Sequence, residues 1–484
     1  MATVTSTKSQ VKREGNIADS FVSLSGGAQA PLPDRFLELK KSLVAGHEDK
    51  LIASWQRLLA QLKQENAVLA KEGSNVIPSL EFANLKDDLA RLRPEIKKRG
   101  VAVIRGVIPE DEARGYKSEI EDYVKLNPST KAFPQGNPQV YELYWSRPQL
   151  RARSHPNLLL TQQSLMSIWH APSPSASISL SQPLTYADRL RIRQPGDATF
   201  ALGPHVDGGS VERWERDGYG RGGVYNSIFA GEWEMHDPWD ASARVNAVMD
   251  NYNGLGACSM FRMFQGWLSM STTKAREGTL LVNPLLGLAT AYYLLRPFFK
   301  PVKAREEMGK RREEEFLDAG NWKFVGEEEG MTSELQGATP GHGQELNAEL
   351  HPHLRLDTSM VHMPEVKPGD FVVWHCDTIH AVDKIHNGKS DSSVLYIPIC
   401  PVTEQNAQYL LRQKKAFLEG TPGPDFPGGE GEARHIDRPT EAYLRAHAEV
   451  DGLRAFGFEK LVPAEADGPG ARGVIEAANR ILGL

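Results

Sequence analysis

The stretch His205-Val206-Asp207 combines an imidazole and a carboxylate at a spacing that suits metal binding. In an extended strand, residues two positions apart lie on one face, so both side chains would point the same way. A second imidazole would complete the two-histidine, one-carboxylate set that binds Fe(II) and leaves other positions on the metal open. His380 is our candidate for that third ligand. The sequence therefore predicts a metal site. Because H-x-D alone is a common pattern, the rest of the sequence must supply further support for this prediction.

Two glycines follow the pattern and give Asp207 a second interpretation. Asp-Gly pairs favour turns, so Asp207 could simply cap the turn at Gly208 and Gly209, although this leaves His205 unexplained. The glycines lead into residues 210–240, which are rich in glycine and aromatic side chains. Long loops of this kind often shape binding pockets, and we expect this loop to line the substrate pocket.

Other residues with chemical potential lie close to His380 in the sequence. His375 competes with it as a ligand, but it ends a hydrophobic run and we interpret it as structural. Nothing around Cys376 indicates an activated thiolate. Together with Cys258 and Cys400 it makes an odd, widely spaced set, which forms neither a disulfide framework nor a zinc-type pair. The cysteines therefore predict free thiols in an intracellular protein.

The elements that must position these residues follow from the hydrophobic periodicity. Alternating or β-branched runs bounded by turn residues predict strands at residues 101–107, 189–193, 261–270, 278–282, 371–374, 380–382 and 393–399. Helical spacing predicts helices within residues 32–70, 83–98, 109–126 and 407–418. Short strands in the centre with helices outside predict an α+β fold around an all-β core.

Composition divides the chain into successive parts. Residues 1–30 are polar and charged and are predicted to be disordered. Residues 31–99 are predicted to form an N-terminal helical extension, whose apolar stripe is either packing surface or a homo-oligomer contact. Residues 100–402 are predicted to form the strand-rich domain that carries the site, with a charged surface insertion at 300–345. Residues 403–484 are predicted to form C-terminal helices around a Pro/Gly loop.

Bulk properties exclude some classes of partner. The chain has 484 residues and a net charge of −6, with 40% hydrophobic residues. A mildly acidic chain argues against nucleic acid and anionic membrane partners, which usually need a basic patch. Residues 279–299 are almost uncharged, but Pro284 and Pro297 interrupt them, so we predict a buried strand and helix rather than a membrane span. These features predict a soluble, cytoplasmic protein.

Four stretches between residues 100 and 402 resemble the Fe(II)/2-oxoglutarate-dependent dioxygenases. The opening resembles the phytanoyl-CoA dioxygenase-like members and reads KKRGVAVIRGVIPEDEARGYKSEIEDYV. The H-x-D pattern follows, and then the paired-strand motifs WLSM and GTL. The last stretch, PGDFVVWHCDTIHAV, resembles the strand and distal histidine of the family. Two segments of the sequence, HVDGGSVERW and LVNPLLGLATAYYLLRPFF, are most similar to the YbiU-like branch of these proteins.

The resemblance implies a double-stranded β-helix, or jelly roll, with flanking helices. It also implies Fe(II) bound by His205, Asp207 and His380, with 2-oxoglutarate as co-substrate and O₂ as oxidant. The expected reaction is the hydroxylation or another oxidation of a small organic substrate, with the hard chemistry supplied by the cofactor. Trp267 resembles the pocket tryptophan of the family.

The expected contact with 2-oxoglutarate departs from the family pattern. Many members have an arginine about eleven residues after the distal histidine, which forms a bidentate pair with the far carboxylate. This chain has Asp391 there, which would repel a carboxylate. The residues that could replace the missing cation are Lys389 with the hydroxyl of Ser393, Arg191, Arg193 and Arg276.

Two other functions remain open at this point. A jelly roll with two histidines and one aspartate could hold Zn²⁺ or Mn²⁺ and act as a hydrolase or isomerase. Alternatively, the scaffold could have lost co-substrate binding and serve as a binding protein. The missing arginine slightly favours these two alternatives, whereas the complete ligand set and the tryptophan strand favour the oxygenase.

Overall fold

The computed structural model describes residues 15–25, 31–199, 201–255, 257–308 and 312–484. The strands within these ranges, in chain order, are β1 (Ser79–Glu81), β2 (Val101–Arg105), β3 (Ala132–Phe133), β4 (Val140–Tyr141), β5 (Ser179–Leu184), β6 (Leu190–Arg193), β7 (His205–Val206), β8 (Phe264–Ser269), β9 (Leu280–Val282), β10 (Phe299–Pro301), β11 (Trp322–Phe324), β12 (Gln344–Glu345), β13 (Val361–His362), β14 (Phe371–His375), β15 (His380–Val382), β16 (Ser392–Tyr396) and β17 (Cys400–Val402).

The α-helices of the same ranges flank these strands. In chain order they are α1 (Val22–Ser25), α2 (Arg35–Val44), α3 (Glu48–Glu72), α4 (Leu85–Arg99), α5 (Glu110–Leu126), α6 (Arg147–Ser154), α7 (Pro156–Met166), α8 (Asn226–Phe229), α9 (Leu286–Leu295), α10 (Arg305–Met308), α11 (Glu313–Phe316), α12 (Leu356–Ser359), α13 (Glu404–Glu419), α14 (Glu441–His447), α15 (Val450–Ala455) and α16 (Pro469–Leu482).

Two sheets form the centre of this mixed α and β fold. The larger has eight strands in the order β1-β2-β14-β8-β16-β6-β4-β3, and the smaller has five in the order β12-β7-β15-β9-β13. Along the chain, β6, β8, β14 and β16 belong to the larger sheet, whereas the intervening β7, β9 and β15 belong to the smaller. This repeated crossing pairs β15 with β7, so that His380 lies directly opposite His205.

Local sequence signals account for the elements that lead into this core. Helix α4 ends at Gly100, which adopts the left-handed conformation that glycine tolerates at a helix C-terminus. Helix α5 starts after Pro109 with Glu110, Asp111 and Glu112 in its first turn, where the helix dipole favours negative charge. Strand β14 is buried along its whole length between β2 and β8. Its continuous apolar run fits a strand that is covered on both faces.

The uncharged stretch at 279–299 forms a strand and a helix, as predicted. Strand β9 lies in the smaller sheet, and α9 buries most of its residues in the core. Among the described helices, none has both the length and the apolar character needed to cross a membrane.

The predicted N-terminal extension is continuous with the core. Strand β1 runs parallel to β2 at the edge of the larger sheet. The apolar stripe of α3 is buried within the chain, where Trp55 stacks on Phe299 with ring centroids 4.3 Å apart. The stripe therefore serves as packing surface, and the homo-oligomer stays a prediction.

The segment 300–345, predicted to be a surface insertion, ends inside the smaller sheet. Its last two residues form β12, which pairs with β7 and places Glu345 opposite His205. Its charge and glycine content predicted a solvated segment. Composition carries no information about strand pairing, so the pairing of the last two residues with β7 could not be predicted from it.

Residues 15–25 correct the prediction of a disordered N-terminus. They form a 3-10 turn at Ile17–Ser20, capped by Asn16, followed by the short helix α1. Ile17 and Phe21 are buried. A composition argument averages over the segment and misses a few apolar residues that find a cleft elsewhere on the protein. The predicted disorder of residues 1–14 and 26–30 lies outside the described residues.

Candidate metal centre

The structure brings the three predicted ligands together between the two sheets. His205 lies on β7, Asp207 follows the end of that strand, and His380 begins β15. The Nε2 atom of His205 is 3.6 Å from Oδ1 of Asp207, and the Nε2 atom of His380 is 3.9 Å from Oδ2. One ligand atom from each of the three residues lies within 4.8 Å of the others. These distances allow one cation to contact all three.

The two imidazoles are held in the tautomer that a metal needs. Nδ1 of His205 lies 2.7 Å from the carbonyl oxygen of Gly203, and Nδ1 of His380 lies 3.0 Å from that of Thr378. Because a carbonyl oxygen only accepts hydrogen bonds, each Nδ1 carries the hydrogen. Each Nε2 therefore keeps a free lone pair facing the carboxylate, as in metal sites whose histidines are oriented by backbone carbonyls. This donor set fits a divalent transition metal.

The charges of the site suit metal binding at neutral pH. Burial alone would raise the pKa of Asp207, but nearby His205, His380 and Arg262 outweigh it and lower the pKa to about 2. Burial lowers the pKa of His380 to about 3. The carboxylate is therefore ionised and His380 is neutral, which are the protonation states that coordinate metals.

Arg262 and Gln265 lie beside the carboxylate, and sequence reasoning missed both. The guanidinium of Arg262 lies 3.7 Å from Oδ2 of Asp207 and over the ring of Tyr186, 5.3 Å from its centroid. Gln265, on β8, is buried and lines the same cavity as this carboxylate. Both residues lie shortly before the predicted pocket residue Trp267. The two-residue spacing of Gln265 and Trp267, which places them on one face of β8, was a local signal for Gln265.

The three ligands open into a cavity of about 100 Å³. The smaller sheet contributes His205, His380 and Val382, and the larger sheet contributes aromatic and polar side chains. The latter are Gln265, Trp267, Trp374 and Tyr396. Trp267 stacks on Tyr396, with ring centroids 5.9 Å apart and an interplanar angle of 27°. The structure therefore places Trp267 in the cavity wall.

Arg189 lines the cavity, and Arg191 on β6 lies near it without being among the lining residues. Arg191 is paired across the sheet with Val394, which in turn is paired with Ser269, so it shares a face with Trp267. It is buried and donates to Gln139 at 3.0 Å. Arg189, two residues earlier, lines the cavity and pairs with Asp188 at 3.3 Å.

The other cations considered for the co-substrate are placed elsewhere. Lys389 and Arg276 are exposed. Arg193 forms a buried pair with Asp197 at 2.7 Å. The hydroxyl of Ser393 donates to Asp391. None of these four candidate side chains is among the residues that line the cavity.

Asp391 itself faces helix α5. Its two carboxylate oxygens accept hydrogen bonds from Arg114 at 2.7 and 2.9 Å. This bidentate pair explains how an aspartate can occupy the position where many dioxygenases carry an arginine.

The prediction that residues 210–240 line the pocket is wrong. The structure describes all of these residues, and none of them contributes to the cavity wall. The chain turns away at Gly208 and Gly209, both with φ of +82°, a conformation that glycine adopts without strain. From behind the turn, Arg213 donates to the carbonyl oxygen of Asp207 at 2.6 Å, and Tyr219 donates to that of Gly208 at 2.7 Å.

A buried ion pair between Arg213 of the loop and Asp377 holds the loop behind the turn. Arg213 donates to Asp377 at 2.8 Å, and Arg244 and Tyr225 also donate to that carboxylate. Burial alone would raise the pKa of Asp377, but Arg244 and Arg213 outweigh it and hold the pKa well below its usual range. Because Asp377 lies between β14 and His380, Arg213 links the backbone of one metal ligand to the segment that carries another.

The cluster His375, Cys376 and Asp377 is close enough to hold a metal, but its groups are engaged. Nε2 of His375 contacts the carbonyl oxygen of Pro238 at 2.9 Å, and Nδ1 accepts from the amide of Asp377 at 3.0 Å. His375 is therefore structural, as predicted. Burial raises the pKa of Cys376 to about 12, so its thiol is not activated. Cys258, Cys376 and Cys400 are free, which confirms that prediction.

The N-terminal segment supplies the wall that the loop does not. Ile17, Ser20 and Phe21 line the cavity next to the metal ligands. The ring of Phe21 meets that of His205 edge to face, with centroids 4.8 Å apart. Sequence reasoning missed this wall, because residues 15–25 contain no motif that indicates a binding site.

Similarity to known proteins agrees with this architecture. A family model described as Gig2-like matches residues 30–458. The chain belongs to the Gig2-like family. The uncharacterised protein YbiU of Escherichia coli (strain K12) is 31% identical to this chain over 416 residues, which cover 83% of this chain and 90% of YbiU. The resemblance to YbiU is therefore confirmed.

Solved structures support the Gig2-like fold. The crystal structure of the product of GlcNAc-inducible gene 2 of Candida albicans is 32% identical and has a TM-score of 0.82, with 94% of this chain and 96% of that chain covered. A Salmonella typhimurium protein described as a "putative oxidoreductase" is 29% identical with a TM-score of 0.72, and 89% of this chain and 99% of that chain are covered.

Proposed function

We propose that this Gig2-like protein is an Fe(II)- and 2-oxoglutarate-dependent oxygenase that hydroxylates or otherwise oxidises a small organic substrate. The observation that carries the proposal is the convergence of two Nε2 atoms and the Asp207 carboxylate on one side of a cavity. The opposite side is formed mainly by aromatic and polar side chains of the larger sheet. The description of the Salmonella relative as an oxidoreductase supports the reaction class.

We extend the proposal to the core, which we interpret as a double-stranded β-helix. Its support is the alternation of β6, β7, β8 and β9, and then of β14, β15 and β16, between the two sheets. In such a jelly roll, the metal ligands lie on strands of one sheet and the opposite sheet closes the pocket.

The residues of this chain hold and orient the reactants. When bound, Fe(II) and 2-oxoglutarate supply the chemistry that activates O₂ for oxidation of a C–H bond. Asp207 stays ionised beside the guanidinium of Arg262. Trp267 and Tyr396 present flat apolar surfaces that exclude water from the cavity and favour a compact organic ligand.

We propose Arg191, with Arg189 beside it, as the cations for the far carboxylate of 2-oxoglutarate. Arg189 lines the cavity and Arg191 lies on the same face of the sheet as Trp267. Burial lowers the pKa of Arg191 to about 10, which keeps the guanidinium charged at neutral pH. A guanidinium gives a bidentate contact to a carboxylate, which Lys389 on the exposed loop would not provide.

The test combines metal and co-substrate binding. Protein purified without oxygen is loaded with Fe(II), and 2-oxoglutarate is titrated while the visible charge-transfer band of its chelate is recorded. We expect the band in the unaltered protein, and succinate when air is admitted. His205→Ala and Asp207→Ala should lose both iron and band, while His447→Ala, which alters an exposed histidine, should retain them.

Each alternative outcome has a separate meaning. Bound metal without a band or succinate would reject the oxygenase and favour Zn²⁺ or Mn²⁺ chemistry at the same ligands. Unchanged metal content in His205→Ala and Asp207→Ala would reject the metal site itself and favour a binding protein.

A further inference from the structure

A short N-terminal segment lies directly over the candidate metal centre. Ile17 and Phe21 are each 6% exposed, and both side chains face the cavity. The Phe21 ring contacts His205, whose Nε2 is one of the candidate metal-binding atoms. Access to the ligands from this side therefore requires the segment to move.

Hydrogen bonds of Ser20 and Ser23 join the segment to loops and short strands of the protein. The hydroxyl of Ser20 donates to the carbonyl oxygen of Leu255 at 2.8 Å, and its carbonyl oxygen accepts from the amide of Gly343 at 2.9 Å. The amide of Ser23 donates to the side chain of Glu345 at 3.2 Å. Glu345 pairs with His205 across β12 and β7, so the segment is attached beside the metal ligand.

Gly343 leaves the space that the Phe21 ring fills. A Cβ atom at position 343 would lie 2.6 Å from Cε1 of Phe21 and 3.2 Å from Cδ1. The backbone of Gly343 is not in the left-handed region, so its lack of a side chain is needed for the ring and not for a turn. The protein thus has a cleft built for this aromatic side chain.

The size of the covered cavity shows what the segment must do. Pockets for small organic ligands typically measure about 300–1,000 Å³. The cavity under Phe21 measures about 100 Å³, which is too little for a co-substrate and a substrate together. Residues 15–25 and the metal ligands are therefore in a closed arrangement.

We propose that residues 15–25 form a lid over the metal cavity and that Phe21 is the residue that closes it. The lid opens to admit metal and ligands, and it limits the size of the substrate by the space the ring leaves. The proposal rests on the metal site of the proposed function, but not on iron or on 2-oxoglutarate. Closing an aromatic ring over the ligands also excludes water, which strengthens the electrostatic interactions beneath it.

Metal exchange tests the lid without any catalytic turnover. The full chain is mixed with Co(II) in a stopped-flow instrument to measure association through the visible absorption of the bound ion, and a chelator then measures release. Because burial of a phenylalanine ring stabilises the closed state, Phe21→Ala should raise both rates by roughly 10- to 100-fold. The dissociation constant should change little, since a lid gates entry and exit alike.

Two further variants separate the lid from general damage. Gly343→Ala leaves Phe21 in the chain but displaces its ring, and it should also raise both rates. Ser23→Ala is the control, because the exposed side chain is altered while its amide still donates to Glu345. We expect unaltered rates in that variant.

The outcomes that would overturn the lid are distinct from those that would overturn the proposed function. If Phe21→Ala raises the release rate alone, the ring only supports His205 and the lid is rejected. If neither rate changes in Phe21→Ala and Gly343→Ala, the lid is rejected while the metal site stands. If His205→Ala binds Co(II) as well as the unaltered chain does, the metal site of the proposed function fails.

Discussion

Residues 210–240 and residues 15–25 flank the same ligand turn at Asp207, but on opposite sides and by different contacts. The long loop lies behind the turn and is held by fully buried ion pairs between Arg213, Arg244 and Asp377. The short N-terminal segment lies in front of it and is held by the Phe21 ring, a few apolar side chains and hydrogen bonds of Ser20 and Ser23. The rear contact maintains the position of the ligands, and the front contact controls their accessibility.

The comparison shows what loop composition can and cannot indicate. Glycines and aromatic residues in 210–240 predicted a wall of the substrate pocket, whereas the structure places this loop behind the ligand turn. Once Arg213 and Arg244 are buried, a buried carboxylate must neutralise them, and Asp377 lies on the far side of the ligand strands. Burial of charge therefore decided the path of the loop.

The largest effect should come from breaking the rear contact. Asp377→Ala leaves two buried guanidinium groups without their shared counter-ion, and we expect it to lower the free energy of unfolding by about 3–5 kcal/mol. Urea unfolding followed by circular dichroism measures this loss. Asp217→Ala removes an exposed carboxylate of the same loop, 3.8 Å from Arg221, and should cost about 0–1 kcal/mol. Equal losses in the two variants would contradict the assignment of the rear wall.

The next prediction concerns the binding of 2-oxoglutarate in the cavity between the two walls. Arg191→Gln removes the proposed cation for 2-oxoglutarate, and we expect the dissociation constant of the Fe(II)-loaded protein for 2-oxoglutarate to rise by roughly 10- to 100-fold, as for loss of a charge-assisted bidentate contact. The charge-transfer band measures it. Lys389→Gln is the matched control on the exposed loop, and a larger effect there would transfer the role to Lys389.

Acid should weaken the rear wall through His375. Burial lowers its pKa to about 3, below the value of about 6.5 in an unfolded chain. The unfolded state therefore binds one more proton between these values, and stability falls with decreasing pH by up to about 1.4 kcal/mol per pH unit. In metal-free protein, His375→Asn should reduce this slope by one proton when unfolding is measured from pH 6.5 down to pH 4. An unchanged slope would show that His375 is not the group that titrates, and His447→Asn should leave it unaltered.

The smallest effect on global stability should come from the front. Phe21→Ala should lower the free energy of unfolding by at most about 1.5–3 kcal/mol, which is the stabilisation of the closed state by the buried ring, because unfolding can start from the open lid. Phe298→Ala, at a buried ring of the core, should cost about 3–5 kcal/mol. A comparable loss in Phe21→Ala would mean that residues 15–25 are part of the core rather than a lid.

Much of the core could be predicted from local patterns. The apolar runs placed β14 and β15 within a residue of their observed bounds, because a buried strand needs a continuous hydrophobic stretch and turn residues at its ends. Gly100 and the acidic residues after Pro109 marked a helix end and a helix start for equally local reasons. The spacing of His205 and Asp207 indicated ligands, since side-chain direction repeats every two residues in an extended chain.

Which residues surround those ligands was decided by the tertiary structure alone. Strands that cross between two sheets bring His380 opposite His205 and Arg191 onto the face of Trp267, and the N-terminal segment places Phe21 against His205. These contacts join residues that are far apart in the chain, and no local propensity or periodicity records them. The sequence by itself determined the donor atoms and the strands that carry them. The pairing of strands and the burial of charge decided which side chains form the walls of the cavity.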